Sequence, residues 1–278
     1  MRVLMVYDVA RWEEKDIRKK CSEEGLELSL LALPLEPIEL GRRVEADVAL
    51  QRCVSFNRAL SSTLALEASG MRVVNSSSAL AAAEDKAWAH SLAARAGIRV
   101  PRAFIAYDYR SALRAADALG YPIVVKPLRG SWGRLVHMAR DPEELRSIVE
   151  HRLLMGEHYK AMYVQEFIAK PGRDIRTFCL GGRVVAGIYR VSDHWVTNTA
   201  RGGKAVPLTA DPELEDLTVK ACEALGVEFG GVDFVEDPAR GYMLLEVNGV
   251  PEYRNTVRVT GVDVSRELAR FLKEKIKR

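Results

Sequence analysis

The chain has 278 residues, 48% of them apolar and 28% charged, and carries a formal net charge of +3. That length supports a large core and two or three modest domains, and the composition excludes disordered and fibrous classes. The near-balanced charge gives no general nucleic-acid signature, and four scattered cysteines without a C-x-x-C pair make zinc a poor reading and free cytosolic thiols the default.

Residues 2–7 read as a buried strand, too short in its apolar part for a signal peptide or a membrane span, so a cytoplasmic location is expected. Residues 12–24 have helical spacing. Further strands are expected at 26–33, 47–50 and 72–74, with a helix at 56–69 between the last two. This alternation predicts an N-terminal α/β domain over residues 1–83 with a largely parallel sheet. Neither G-x-G-x-x-G nor G-x-x-x-x-G-K-[ST] occurs there, so any nucleotide is not held by the first βα turn.

A second, α+β unit is expected over residues 84–160. It opens with an alanine-rich helix at 84–97 that contains Asp85-Lys86 and stops at Gly97. Strands at 104–107, 123–126 and 135–138 and a helix at 110–119 follow. Asp141 and Pro142 are then placed as N-cap and first residue of another helix. The stretch Lys126-Pro127-Leu128-Arg129-Gly130-Ser131-Trp132-Gly133-Arg134 joins a strand-ending lysine to a loop whose small residues let backbone N–H groups approach phosphate oxygens. An ordinary hairpin turn is the bland alternative.

The third unit, residues 161–278, starts with an apolar strand at 163–168 that breaks at Lys170-Pro171-Gly172. Asp174-Ile175-Arg176-Thr177-Phe178 turns at Gly181-Gly182 and returns through 184–191, with Arg190 near the end. The polar, basic stretch 195–204 contains Asn198, Thr199 and Arg201; it is either a plain loop or a clamp for anionic groups. Asp211-Pro212 starts a helix to Leu225, and an amphipathic helix is expected at 264–275.

Between those helices lie two apolar-alternating runs around Asp237-Pro238-Ala239-Arg240-Gly241, a β-hairpin that sets Asp233 opposite Leu245 or Glu246. Period-2 alternation then puts Asp233, Glu246 and Asn248 on one face, and Val232, Phe234, Leu245 and Val247 on the other. Three hard oxygen ligands at this density suit Mg²⁺. A polar, solvated hairpin face is the competing reading.

In order, Asp85-Lys86, Lys126-Pro127, the Gly-Ser-Trp-Gly loop, Gln165-Glu166-Phe167-Ile168, Asp174-Ile175-Arg176, Asn198 with Gly202-Gly203-Lys204, and Asp233 with Glu246-Val247-Asn248 resemble an ATP-grasp ligase over nearly the full length. The chain looks most like the branch of RimK, which adds glutamate to a ribosomal protein, and of LysX and ArgX, ligases acting on the amino-group carrier protein LysW. Tyr7-Asp8 with Arg11-Trp12-Glu13-Glu14-Lys15, and Asn248-Gly249-Val250-Pro251-Glu252-Tyr253-Arg254-Asn255-Thr256-Val257, point to the carrier ligases.

The resemblance implies an ATP-grasp fold: an N-terminal α/β domain and two α+β subdomains clasping ATP. It places Lys86 and Lys126 on the phosphates under a loop of Arg129, Gly130, Ser131, Trp132 and Gly133. It makes Gln165, Glu166, Phe167 and Ile168 the adenine hinge and sets Asp174 near the ribose, with Arg176 close to the nucleotide. Lys126, Arg190 and Asn198 become the catalytic set and Asp233, Glu246 and Asn248 the Mg²⁺ ligands. Thr199, Arg201, Glu252, Tyr253, Arg254, Asn255 and Thr256 become substrate contacts.

The implied reaction is ATP- and Mg²⁺-dependent. The side-chain carboxylate of the C-terminal glutamate on an acidic carrier protein becomes an acyl phosphate, which the α-amino group of glutamate or 2-aminoadipate attacks, in arginine or lysine biosynthesis. Asn255-Thr256 leans toward glutamate, a Gly-Phe pair toward 2-aminoadipate, and dual use stays open because one methylene is worth only about 1–3 kcal/mol. Arg42, Arg43, Arg52 and Arg58 are candidate docking residues for the acidic tail, with scattered surface arginines as the alternative. The resemblance also implies a dimer or tetramer. A RimK-like ligase for a ribosomal protein tail and a non-catalytic nucleotide-binding module remain the other readings.

Overall fold

The computed structural model describes residues 1–130, 132–192, 194–195, 203–209 and 211–277. The N-terminal unit contains β1 (Arg2–Tyr7), α1 (Trp12–Glu23), β2 (Glu27–Ala32), β3 (Val48–Gln51), α2 (Phe56–Ala68) and β4 (Val73–Val74). Its strands pair in the order β2-β1-β3-β4, all parallel. A parallel sheet is covered on both faces, and β1 shows the cost in sequence: Val3, Leu4, Met5 and Val6 are all buried. Val3 and Met5 join a core with Ile17 and Cys21, while Leu4 and Val6 pack with Ala59 and Leu66.

The alanine-rich segment is two helices, α3 (Ser77–Glu84) and α4 (Lys86–Arg95), where one helix from residue 84 is expected from sequence. Asp85 is the reason. Its extended backbone ends α3, and its carboxylate accepts N–H donors from Ala87 at 3.1 Å and Trp88 at 3.2 Å, capping α4.

The middle sheet is antiparallel, ordered β5-β8-β6-β7 from β5 (Ala103–Ala106), β6 (Ile123–Pro127), β7 (His137–Ala139) and β8 (Met162–Glu166). The helices α5 (Tyr109–Leu119) and α6 (Pro142–Leu153) pack with its apolar residues, and Asp141 caps α6. β8, grouped from sequence with residues 161–278, belongs to this sheet instead: it pairs with both β5 and β6. An apolar strand carries no local mark of which sheet it will join.

The third sheet is antiparallel, ordered β11-β10-β9-β12-β13, from β9 (Arg173–Leu180), β10 (Arg183–Val191), β11 (Lys204–Pro207), β12 (Phe229–Asp237) and β13 (Gly241–Asn248). Ile175, Cys179, Val232, Phe234, Leu244 and Val247 pack with Ala89 and Ala93 of α4 and with Leu214 and Ala221 of α7 (Pro212–Leu225). A short helix α8 (Arg254–Thr260), not anticipated from sequence, precedes α9 (Val264–Lys277). Val264, Leu268 and Leu272 of α9 share one core with Val3 and Met5 of β1 and with Phe178 and Leu180 of β9, so this helix joins the first unit to the last. Among the described residues, no helix is long and apolar enough to cross a membrane.

The hairpin has Asp233 opposite Glu246, and the register then slips, so that Phe234 faces Leu244. Leu245 is the extra residue of this bulge. It turns away from the core of Phe234 and Leu244 and packs with Ile168, Val235 and Met243 on the Asp233 face. The expected placement of Leu245 beside Phe234 is therefore corrected to Leu244.

Candidate active site

Three cavities meet behind the hairpin, and Arg190 lines all of them. The first lies between the middle and third sheets. Lys86, the first residue of α4, and Lys126, at the end of β6, both face it, as do Gly130, Gly133, Asp174, Asp233 and Glu246. Lys86 ties down the loop: its N–H donates to the Leu128 carbonyl at 3.0 Å and its Nζ to the Gly130 carbonyl at 2.8 Å. Lys126 Nζ donates to Gln165 Oε1 at 2.8 Å. Burial, then the nearby Lys86 charge, lowers the Lys126 pKa to about 8. Two ammonium groups crowded into one cleft repel each other, and an anionic ligand relieves that cost.

The loop above them needs left-handed backbone at Trp132 (φ 59°) and Gly133 (φ 64°). Arg134 stacks over the Trp132 ring with its guanidinium carbon 4.6 Å from the centroid. Arg129 reaches across to the N-terminal unit, 5.3 Å above the Phe56 ring and 3.6 Å from Asp85.

Along the hinge segment the side chains have structural partners. Glu166 accepts from Arg240 Nη1 and from the Arg102 N–H, both at 2.8 Å, and Phe167 meets Trp195 edge-on at 6.2 Å. Ile168 is buried on Leu245. Behind β13, His90 bonds the Leu245 carbonyl through Nε2 at 2.8 Å and Tyr163 through Nδ1. Burial lowers its pKa to about 4, so it is neutral.

At the meeting point the charges interlock. Arg176 grips both oxygens of Asp233 at 2.6 Å and approaches Glu246 at 3.8 Å. Arg190 bridges Asp174 at 2.5 Å and Asp233 at 2.9 Å, and Lys170 lies 3.4 Å from Asp174. Burial alone would raise the Asp233 pKa; Arg176 and Arg190 outweigh it and hold the carboxyl at about 2. Asp174, expected near a ribose, lines the first cavity while orienting Arg190.

The third cavity, about 400 Å³, opens against α8 and is lined by Glu252, Arg254, Asn255, Thr256 and Arg258 together with Arg11. Tyr253 is not part of that wall, contrary to expectation. It is 1% exposed, its ring packs edge-on against Trp12, Phe178 and Phe229, and its hydroxyl meets Ser265 at 2.8 Å. Arg52, expected on the docking surface, is fully buried: it donates to Glu14 at 3.0 Å and to the Pro251 carbonyl at 3.1 Å. Arg42, Arg43 and Arg58 are exposed.

Residues 83–272 match the profile of the RimK-like ATP-grasp domain, and residues 3–82 match that of the LysX preATP-grasp domain. The chain belongs to the RimK-like ATP-grasp family. Similar proteins from Sulfurisphaera tokodaii are an alpha-aminoadipate–LysW ligase LysX, 41% identical over 99% of both chains, and a glutamate–LysW ligase ArgX, 37% identical over 99% of both. The ATP-grasp ligase PsnB, solved with a minimal precursor, Mg and ADP, shares the fold: the TM-score is 0.75 at 18% identity, over 99% of this chain and 98% of that one.

ATP-grasp ligases use ATP and Mg²⁺, and the hairpin offers a donor set to compare with what a hard cation needs. Asp233 and Glu246 face each other, and Asn248 lies beside Glu246, its Nδ2 3.3 Å from Glu246 Oε1. Two carboxylates and an amide oxygen on one sheet face are a fitting donor set, although arginines hold Asp233 here. Ser131, Asn198, Thr199 and Arg201 lie outside the described residues. Two charged groups that line these cavities were missed by sequence reasoning. Lys170 lies four residues before Asp174, a spacing that could have flagged it. The second cavity lies against the N-terminal unit, between Val54 and Phe56 on one side and Glu246 and Asn248 on the other; Glu84 lines it, and burial raises the Glu84 pKa against the pull of Lys86.

Proposed function

We propose that the protein is a cytoplasmic ATP- and Mg²⁺-dependent ligase that joins the α-amino group of glutamate or 2-aminoadipate to the side-chain carboxylate of the C-terminal glutamate of a LysW-like carrier protein. The observation that carries this reading is the confluence at Arg190. A lysine-lined cavity for a triphosphate, a cavity under the N-terminal unit, and an arginine-rich cavity at Asn255 and Thr256 all reach the same guanidinium. Two substrates and a nucleotide would thus converge on one point. The near-full-length likeness to LysX and ArgX supports the same assignment.

In this reading an oxygen of the carrier carboxylate attacks the γ-phosphorus and ADP leaves. The amine then attacks the acyl carbon, phosphate departs, and the amine gives up a proton. No protein nucleophile is needed, because positioning and charge neutralisation carry phosphoryl transfer. Lys86 and Lys126 hold phosphate oxygens, with Arg129, Gly130, Trp132 and Gly133 over them. Gln165, Glu166, Phe167 and Ile168 offer the adenine edge. Arg190, fixed by Asp174, faces the transferring group, and the family resemblance assigns Asn198 to the same step. Asp233, Glu246 and Asn248 would hold Mg²⁺, which neutralises phosphate charge when bound.

The test is ADP release with a purified acidic carrier ending in glutamate. Release that requires both the carrier and glutamate or 2-aminoadipate is the expected result. Elongation of a ribosomal protein tail with no response to the carrier would overturn it in favour of a RimK-like activity.

A further inference from the structure

The stretch Arg11-Trp12-Glu13-Glu14 does not line the first cavity, yet its charged groups are tightly held. Glu14, 2% exposed, takes Arg11 in a two-point grip, Nε at 3.1 Å and Nη2 at 2.7 Å, and is itself pinned by the buried Arg52. Glu13, also buried, accepts the backbone N–H groups of Tyr253 and Arg254 at 2.9 Å and so fixes the start of α8. Trp12 packs on Tyr253 at 6.1 Å. The stretch thus anchors the wall of the third cavity and presents one arginine to it.

Arg11 is the wall residue with an edge left over. Nε and Nη2 bond Glu14 and Nη2 also reaches the Arg52 carbonyl at 3.4 Å, while Nη1, among the described residues, meets the half-exposed Glu252 at 3.2 Å, on the rim shared by the second and third cavities. Arg254 and Arg258 line the same cavity without an ion pair among the described residues. Arg176 and Arg190 are already held by Asp233 and Asp174. A planar guanidinium locked along its Nε side, with Nη1 turned toward a single half-exposed carboxylate at the rim, can exchange that partner for a ligand carboxylate, and a cavity with three uncommitted or partly committed arginines suits a molecule carrying two.

We propose that Arg11 receives a carboxylate of the incoming dicarboxylic amino acid in the third cavity, and that Glu14 and Arg52 are the positioning pair that hold it there. This rests on the ligase reading for the identity of the amino acid, and the experiment separates the two. Glutamate and 2-aminoadipate binding would be measured by calorimetry, without carrier, on wild type, Arg11→Lys, Arg11→Ala and Glu14→Gln. In parallel, KM values for ATP, carrier and amino acid would be determined.

Arg11→Ala should weaken amino-acid binding by roughly 10- to 100-fold, with KM for the amino acid rising in step and KM for ATP moving far less. Arg11→Lys should recover part of the loss, and Glu14→Gln should shift binding in the same direction by less. Unchanged affinity in Arg11→Ala, no binding of either amino acid to wild type, or a rise confined to the carrier KM would each overturn the proposal. A uniform rise in all three KM values with a fall in melting temperature would reduce Arg11 to a structural residue. Loss of carrier-dependent turnover alongside intact, Arg11-dependent amino-acid binding would sink the carrier assignment and leave Arg11 standing.

Discussion

Asp233 and Glu246 face each other across β12 and β13 at the rung immediately before the bulge. Because Leu245 is the extra residue there, the slip leaves the carboxylates opposed while turning an apolar side chain into the cleft. Glu246 carries the weaker arginine contact of the two, 3.8 Å against 2.6 Å, and is the more accessible to a cation. Glu246→Ala should therefore abolish Mg²⁺-dependent ADP formation while leaving the circular dichroism spectrum and melting temperature close to wild type. Wild-type turnover in this variant would remove the metal assignment.

Lys126 supplies a pH signature. Its pKa of about 8 in the ligand-free protein, lowered by burial and by Lys86, means that the ammonium form declines above that pH. A triphosphate favours the charged form, so nucleotide binding should take up a proton and weaken as pH rises through about 8. Calorimetry in buffers of different ionisation enthalpy measures the uptake directly. Lys126→Arg, which stays charged, should bind with no proton uptake near pH 8, and equal uptake in that variant would assign the proton to another group.

His90 links stability to pH. Its folded pKa of about 4 lies below the ordinary 6.5, so the unfolded chain binds the extra proton between those values. Stability is accordingly highest above the unfolded pKa and falls as pH drops from about 6.5 to 4, by about 3 kcal/mol from this group. Urea unfolding at several pH values should show a shallower slope over that interval in His90→Gln. An identical slope would mean that His90 does not carry the effect.

Asn255 and Thr256 line the third cavity from the first turn of α8, and Thr256 is 1% exposed. Replacing the pair by Gly-Phe should shift the ratio of glutamate to 2-aminoadipate use by roughly 10-fold or more, since a side chain filling or vacating one methylene of space is worth about 1–3 kcal/mol. KM for ATP should be little affected. A ratio that stays put would move selectivity to Arg254 or Arg258.

Local chemistry was legible in the sequence, and long-range chemistry was not. Asp141 and Asp211 cap α6 and α7 as their Asp-Pro spellings announce, and the hairpin is anchored by its Asp237 turn, with Ala239 and Arg240 N–H groups donating to that carboxylate. The cluster of Lys86, Lys126, Asp174, Arg190, Asp233 and Glu246 around one cleft follows the order of the motifs. The one-residue bulge at Leu245 was beyond reach, because either register satisfies the alternation up to that rung. Arg52 and Tyr253 were misplaced for a related reason: a charge or a phenol near a site looks like a ligand contact until a buried Glu14 or Ser265 is found opposite it.

The hydrogen bonds from Tyr253 and Arg254 to Glu13 span 240 and 241 residues of chain. Glu13 and Arg11 thus reach the third cavity from the opposite end of the chain. The first cavity takes its lining from residues 86–246. A change at Glu13 should therefore loosen the start of α8 and the wall of the third cavity while sparing the first.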